Sequence, residues 1–259
     1  MTKTIAVAQQ KGGTGKTTTA SALAAGLAAM RRGKVLLIDL DAQSNLTFIH
    51  GGKTDGLTAL ELLEDDSITA AMAAQPAGEK LDLIASTEYL AGADGRLKGK
   101  DRALILKGKL AQLDGQYSYI VIDTPPALGL LTINAFMAAD SVVIPCLADV
   151  FSIQATTALA RTLDTARQNG NSSLKVEGIL VTRYSQRQII TRDTVTLLEQ
   201  AAQQMKTKVF KARIRDSVAV REAQALQTDL FKYAPLSTSA QDYKAFVREL
   251  LAGWQTKRR

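Results

Sequence analysis

The segment Ile5-Ala6-Val7-Ala8-Gln9-Gln10-Lys11-Gly12-Gly13-Thr14-Gly15-Lys16-Thr17-Thr18 constrains the fold more than any other part of the chain. An apolar run with strand character empties into a glycine-rich turn. Apolar residues then recur at Ala20, Leu23, Ala24, Leu27 and Ala28 with helical spacing. A strand, a tight glycine loop and an immediate helix make a cradle for phosphate: the glycines let backbone N–H groups converge, and the helix N-terminus adds its positive dipole end. The cradle runs over Lys11, Gly12, Gly13, Thr14, Gly15, Lys16, Thr17 and Thr18. In such a loop Lys16 reaches the β- and γ-phosphates and the Thr17 hydroxyl sits on Mg²⁺. The usual pattern is G-x-x-x-x-G-K-S/T. Here Gln10 stands where the first glycine belongs, and a second lysine, Lys11, occupies the mouth of the loop.

Around this loop, strands alternate with helices. Apolar runs at Lys34–Asp39, Leu81–Ala85, Tyr119–Asp123, Ser141–Pro145 and Val176–Thr182 read as buried strands. Helical patterns occupy Gly56–Leu63, Arg102–Leu113, Phe151–Arg167 and Ile189–Met205, with the acidic Glu64-Asp65-Asp66 as a solvated break. The expectation is an α/β fold: a single-domain parallel sheet flanked by helices on both faces, of the phosphate-loop nucleotidase type, with ligands at the carboxyl ends of the strands. At 259 residues, without a linker, repeat or low-complexity tract, residues 1–259 read as one domain. No apolar run approaches ~20 residues, and the N-terminus enters the first strand directly, so neither a membrane span nor a signal peptide is expected. One cysteine, Cys146, excludes a disulfide framework and points to a reducing cytosol, and one histidine, His50, argues against a histidine metal cage. The net charge of +7 invites a polyanionic partner.

The carboxylates fall where a nucleotide hydrolase needs them. Asp123 ends an apolar strand, the arrangement in which an acid holds Mg²⁺ through a water opposite the Thr17 hydroxyl. Asp39-Leu40-Asp41 ends another strand. Beside a phosphate site, such a pair reads as one acid near the metal, Asp39, and one orienting the attacking water. Taken alone, it is equally a solvated turn.

The segment Lys11-Gly12-Gly13-Thr14-Gly15-Lys16-Thr17-Thr18 is a deviant Walker A motif and resembles the ParA/MinD family of dimerising ATPases. Leu36 to Asn45 is similar to that family's D-x-D-P-Q-x-N segment, in which the second acid supports hydrolysis, so the resemblance assigns that part to Asp41; Ala42 replaces the expected proline. Asp123 to Ala135 is close to the family's D-x-P-P-x-x-G-L-L-T-x-N-A stretch. No helix-turn-helix extension precedes the first strand, which resembles the short ParA/Soj class. The resemblance implies a cytoplasmic, nucleoid-associated protein that binds ATP with Mg²⁺, forms a homodimer with nucleotide at the interface and binds nonspecific DNA as that dimer. It further implies a ParB-like or other centromere-binding or adaptor protein that stimulates a slow hydrolysis. Lys11, catalytic alongside Lys16 and Asp41, would then reach the phosphates held by the other subunit and stabilise transition-state charge in trans.

From Lys175 to Lys232 eleven cations face six acids, which supplies five of the seven net positive charges. Sparse aromatics and the lack of a base-reading motif favour phosphate contact without sequence readout. The resemblance places a DNA-contacting arginine at Arg187, and offers Arg215 and Arg221 as displaced substitutes for two further family arginines that fall on Asp216 and Ala219. The C-terminal helix, Ser239 to Trp254, carries Tyr243, Phe246, Val247, Leu250, Leu251 and Trp254 on one stripe and is followed by Lys257-Arg258-Arg259. MinD relatives hold membrane with a terminal amphipathic helix, but here the polar face mixes Asp242 and Glu249 with Lys244 and Arg248, so docking on the body is expected. A DNA-bound partitioning ATPase therefore leads over a MinD-like membrane-cycling regulator or an ATPase positioning a protein assembly. A nitrogenase-type reductase would need two bridging cysteines per subunit.

Overall fold

The computed structural model describes residues 2–30, 33–113, 115–185 and 189–256, with the backbone alone for residues 189–193 and 256. Its centre is β1 (Lys3–Val7), which feeds the glycine loop and then α1 (Lys16–Met30). The remaining strands are β2 (Val35–Asp39), β3 (Ala74–Gly78), β4 (Leu81–Ile84), β5 (Tyr119–Asp123), β6 (Ser141–Leu147), β7 (Lys175–Tyr184) and β8 (Val209–Arg215). They form one sheet in the order β3-β4-β2-β5-β1-β6-β7-β8. All neighbours run parallel except the β3–β4 pair.

Side-chain alternation divides the core in two. Ala6 and Ala8, Leu36 and Ile38, and Ile120 and Ile122 face one layer, while Ile5 and Val7, Val35 and Leu37, and Val121 face the other. The first layer is closed by α3 (Ala59–Glu64), α6 (Ile105–Ala111), α7 (Leu130–Ala138), α8 (Val150–Gln168) and α9 (Ile189–Gln204). The second is closed by α1, α10 (Val218–Ala225), α11 (Leu230–Tyr233) and α12 (Thr238–Thr256), with α2 (Asn45–Ile49) at its rim. Short helical turns α4 (Ala70–Ala73) and α5 (Ala93–Arg96) fill connections.

Two strands lie outside the sequence expectation, and both are sheet edges. β3 reads Ala-Gln-Pro-Ala-Gly and carries no strand pattern; an edge tolerates its proline, and the register shifts between Pro76 and Gly78. β8 alternates cleanly, Phe210 and Ile214 facing the core, but its cations read as a charged surface segment. Its outer edge is covered by α12: the Lys211 and Ala212 N–H groups donate to Glu249, and the Arg215 N–H donates to Asp242. The helix expected over Gly56–Leu63 starts only at Ala59, because Thr58 and Glu61 form a capping box.

The terminal helix is docked. Tyr243, Phe246, Val247, Leu250 and Leu251 are buried against α1 and β8, and Trp254 stacks on Tyr119 while its indole N–H donates to Glu177 at 2.8 Å. A side chain at Gly26 of α1 would bring its Cβ to 2.9 Å from Val247, so α1 and α12 meet at glycine distance. Among the described residues no helix is long and apolar enough to cross a membrane.

Candidate functional site

Pairing in register sets the site. Val7 and Asp39 are both register partners of Asp123, so the end of β1, where the loop begins, lies beside two strand-terminal acids. Gly13 and Gly15 adopt φ of +74° and +82°, a left-handed backbone that glycine takes without strain, and this curls the loop. The loop is tied to the sheet by Thr182 of β7, whose hydroxyl donates to the Thr14 carbonyl at 2.8 Å. The Gly15 carbonyl accepts the first α1 hydrogen bond, from Thr19 N–H at 2.8 Å. Gln224 of α10 donates to the Thr18 hydroxyl at 2.9 Å, which fixes the far side of the loop.

The two loop lysines are in different environments. Lys16 is buried at the start of α1, and burial lowers its pKa while the charges of Asp123 and Asp41 work against that fall. Lys11 is only partly buried, and its Nζ lies 2.5 Å from Asp149 Oδ2 and 5.7 Å from the centre of the Phe151 ring. Asp149 is also the N-cap of α8, its Oδ1 accepting the Ser152 N–H at 2.8 Å. Burial pushes the Asp149 carboxyl up, but hydrogen bonds from Lys11 and Ser152 outweigh it and leave the pKa below the ordinary value. Val150 and Phe151, next along the chain, are 59% and 71% exposed, so an apolar patch adjoins the loop-mouth lysine.

The acids behave unlike one another. Asp123 is fully buried, and neither of its oxygens has a partner in ordinary hydrogen-bond geometry. Burial first, then the neighbouring Asp39 charge, raises its pKa well above the usual carboxylate range; Thr17 and Lys16 pull the other way. A buried polar group left unpaired is costly unless an ion, a water or a ligand group meets it. With the Thr17 hydroxyl beside it, this donor set fits a hard cation such as Mg²⁺.

Asp39, which the sequence offers as the acid near the metal, is hydrogen-bonded at both oxygens: Oδ1 accepts from Asp41 N–H, and Oδ2 accepts from Thr47 N–H and the Thr47 hydroxyl. Its pKa is pushed up to about 6 by burial, against the lowering effect of those hydrogen bonds. Asp39 therefore anchors the loop that follows it. In that loop Asp41 is partly exposed, and its Oδ1 accepts the Gln43 N–H at 3.0 Å.

Of the proposed DNA contacts, Arg187 lies outside the described residues. Arg215 forms a two-pronged ion pair with Asp242 of α12, at 2.9 and 2.7 Å, which compensates much of the charge it was to present. Arg221 is exposed on α10. Sequence reasoning missed Asp149, Thr47, Ser86, Thr182 and Gln224. The sole signal for Asp149 was an N-cap aspartate opening a helix directly after a buried strand.

A family profile described as "AAA domain" matches residues 2–176. The chain is 36% identical over 250 residues to the chromosome partitioning protein ParA of Myxococcus xanthus, spanning 95% of this chain and 87% of that protein. It is 36% identical to the sporulation initiation inhibitor protein Soj of Bacillus subtilis, over 97% of this chain and 99% of the other. The chain belongs to the ParA/Soj family. Among solved structures it is similar to a Mycobacterium smegmatis protein titled cobyrinic acid a,c-diamide synthase, with bound ADP and magnesium. That likeness has a TM-score of 0.85 and 32% identity, over 99% of this chain and 97% of that one. In this ParA/Soj-family chain the deviant phosphate loop opens at the end of β1, beside the acidic end of β5.

Proposed function

We propose that the chain is an ATP-dependent, dimerising ATPase that binds nonspecific DNA as the dimer and drives partitioning of DNA, with hydrolysis stimulated by a ParB-like or other adaptor protein. The observation that carries this reading is the division of labour between the loop lysines. Lys16 is buried facing Asp123 and Asp41, while Lys11 stands at the mouth, held by Asp149 beside an exposed apolar patch. Lys16 and the loop N–H groups bind the triphosphate, and Thr17 with Asp123, through a water, would hold Mg²⁺. When bound, the metal supplies charge neutralisation at the β- and γ-oxygens. Asp41 orients the attacking water. Lys11 leaves Asp149 and reaches the phosphates held by a second copy, where its charge stabilises the transition state. The burial of the α12 stripe supports this reading over membrane cycling.

The test is paired. Gel filtration with ATP and a DNA shift assay over a salt series are run on Lys11→Ala and Arg187→Ala. Lys11→Ala is expected to lose dimer and DNA binding together while keeping nucleotide affinity. Arg187→Ala is expected to lose DNA binding alone, with a shallower salt dependence. DNA binding that does not need ATP, or a Lys11→Ala protein that dimerises normally, overturns the proposal.

A further inference from the structure

Asp41 does not hold itself in place. Its N–H donates to Asp39 Oδ1 at 3.0 Å, and its carbonyl accepts from the Ser86 hydroxyl at 2.8 Å and from Ser44 N–H at 2.8 Å. The two side chains that grip it, Asp39 and Ser86, are joined through one residue. Thr47, in the first turn of α2, donates its hydroxyl to Asp39 Oδ2 at 2.8 Å and its N–H to the same oxygen at 2.9 Å. The same Thr47 hydroxyl accepts the Ser86 N–H at 2.8 Å. The result is a closed ring, Asp41–Asp39–Thr47–Ser86–Asp41, drawn from the end of β2, the start of α2 and the turn after β4. Asp39 and Ser86 are fully buried and Thr47 is 2% exposed, so water cannot substitute for these bonds.

The loop spanned by the ring also contains Ser44 in a left-handed conformation, φ +52°, which a serine adopts only when its surroundings impose it. Only a hydroxyl can close the ring at position 47, because the same oxygen donates to one neighbour and accepts from the other. The Thr47 methyl is seated as well, since a Cβ on Gly52 would come within 3.0 Å of it.

We infer that Thr47 and Ser86 are positioning residues for ATP hydrolysis, which set the place of Asp41 and hence of the water it orients. This rests on the reading of Asp41 given above, and the experiment separates the two. Five full-length proteins are compared with wild type: Asp41→Ala, Thr47→Val, Thr47→Ser, Ser86→Ala and the Asp41→Ala/Thr47→Val double variant. Affinity for a non-hydrolysable ATP analogue with Mg²⁺ is measured by calorimetry, and hydrolysis in single turnover. Thr47→Val keeps the shape and loses the ring; it is expected to slow the single-turnover step by about 10- to 100-fold, the scale of a group displaced by about 1 Å. Analogue affinity is expected to stay within about 2-fold, and Thr47→Ser to recover the rate to within about 3-fold. The double variant is expected to be no slower than Asp41→Ala, because both changes disable the same group.

Ser86→Ala keeps the N–H bond to Thr47 and loses only the hydroxyl on Asp41, so it carries the test if Thr47→Val fails to fold; it too is expected to slow turnover. Wild-type turnover in Thr47→Val or Ser86→Ala, with Asp41→Ala slow, overturns this inference and leaves the role of Asp41 standing. So does a Thr47→Ser protein as slow as Thr47→Val, or a double variant slower than Asp41→Ala by the full Thr47→Val factor. Wild-type turnover in Asp41→Ala removes the reading of Asp41 and this inference with it.

Discussion

Asp149→Asn tests the competition for Lys11 directly. In the free chain the ammonium of Lys11 is paired with Asp149 at 2.5 Å, and on the proposed mechanism that pair is broken when Lys11 reaches across the dimer. Asparagine is as good an N-cap as aspartate, so the bond from Ser152 N–H survives and only the charge is lost. The two side chains are 27% and 34% exposed, which places the pair among partly solvated surface bridges worth about 0.5–1 kcal/mol. Each dimer breaks two such pairs, so removing them favours the dimer by about 1–2 kcal/mol, or about 5- to 30-fold in the dissociation constant. Analytical ultracentrifugation with Mg²⁺ and a non-hydrolysable ATP analogue measures that constant. The gain is expected to shrink as salt rises, since the pair is exposed to screening. A dissociation constant equal to or weaker than wild type refutes the reasoning, because Asp149 would then be indifferent to Lys11 or would hold it in the dimer too.

Lys16→Ala is expected to abolish ATP binding by calorimetry, and retained affinity would disprove the phosphate-loop assignment. Asp41→Ala is expected to bind ATP and accumulate as dimer without turnover, since Lys16, Thr17 and Asp123 are untouched; wild-type hydrolysis would assign the water to another group. Gly26→Ala places a Cβ 2.9 Å from Val247, and the resulting overpacking is expected to cost about 1–3 kcal/mol in urea unfolding. An unchanged midpoint would mean that α12 yields freely. Burial holds His50, 3.0 Å from the Ser21 hydroxyl, down at about 4 against an ordinary 6.5, so unfolding takes up a proton between those values and the stability it allows falls as pH drops through that window. The wild-type advantage over His50→Gln is therefore expected to shrink by about 1–2 kcal/mol between about pH 7.5 and pH 5, and parallel profiles would refute it.

The sheet's central strands were legible because they are buried on both faces and read as unbroken apolar runs, Leu36-Leu37-Ile38 and Ile120-Val121-Ile122 among them. The edges were not, for a physical reason: β3 is specified by its pairing with β4, and β8 by the core that Phe210 and Ile214 enter from a strand otherwise full of cations. The phosphate loop was legible for the opposite reason, since glycine and lysine at fixed spacing carry their chemistry locally. Asp39 shows the limit of such reading. Two acids two residues apart look alike in sequence, and what separates them is burial and Thr47, eight residues on, whose N–H and hydroxyl both bind Oδ2 of the first while the second stays partly exposed.

The basic third of the chain shows the same limit in charge. Counting from Lys175 to Lys232 omits the helix that folds back over that segment, and α12 returns acid to it: Glu249 meets Lys208, and Asp242 meets Arg215. Asp216, inside the segment, lies 3.8 Å from Arg183. Among the described residues, Lys175, Lys206, Lys211, Arg221 and Lys232 stay outward and exposed, while Arg213 lies over the Tyr184 ring at 4.9 Å. The three pairs trim the phosphate contacts that a single chain can make, and with them its salt slope. Joining two copies doubles the contacts and makes the second engagement intramolecular, so affinity rises far more than twofold without any new residue. On the proposed reading, DNA binding therefore depends on the dimer, and through Lys11 on ATP, and the acids of α12 sharpen that dependence by lowering what one chain offers alone.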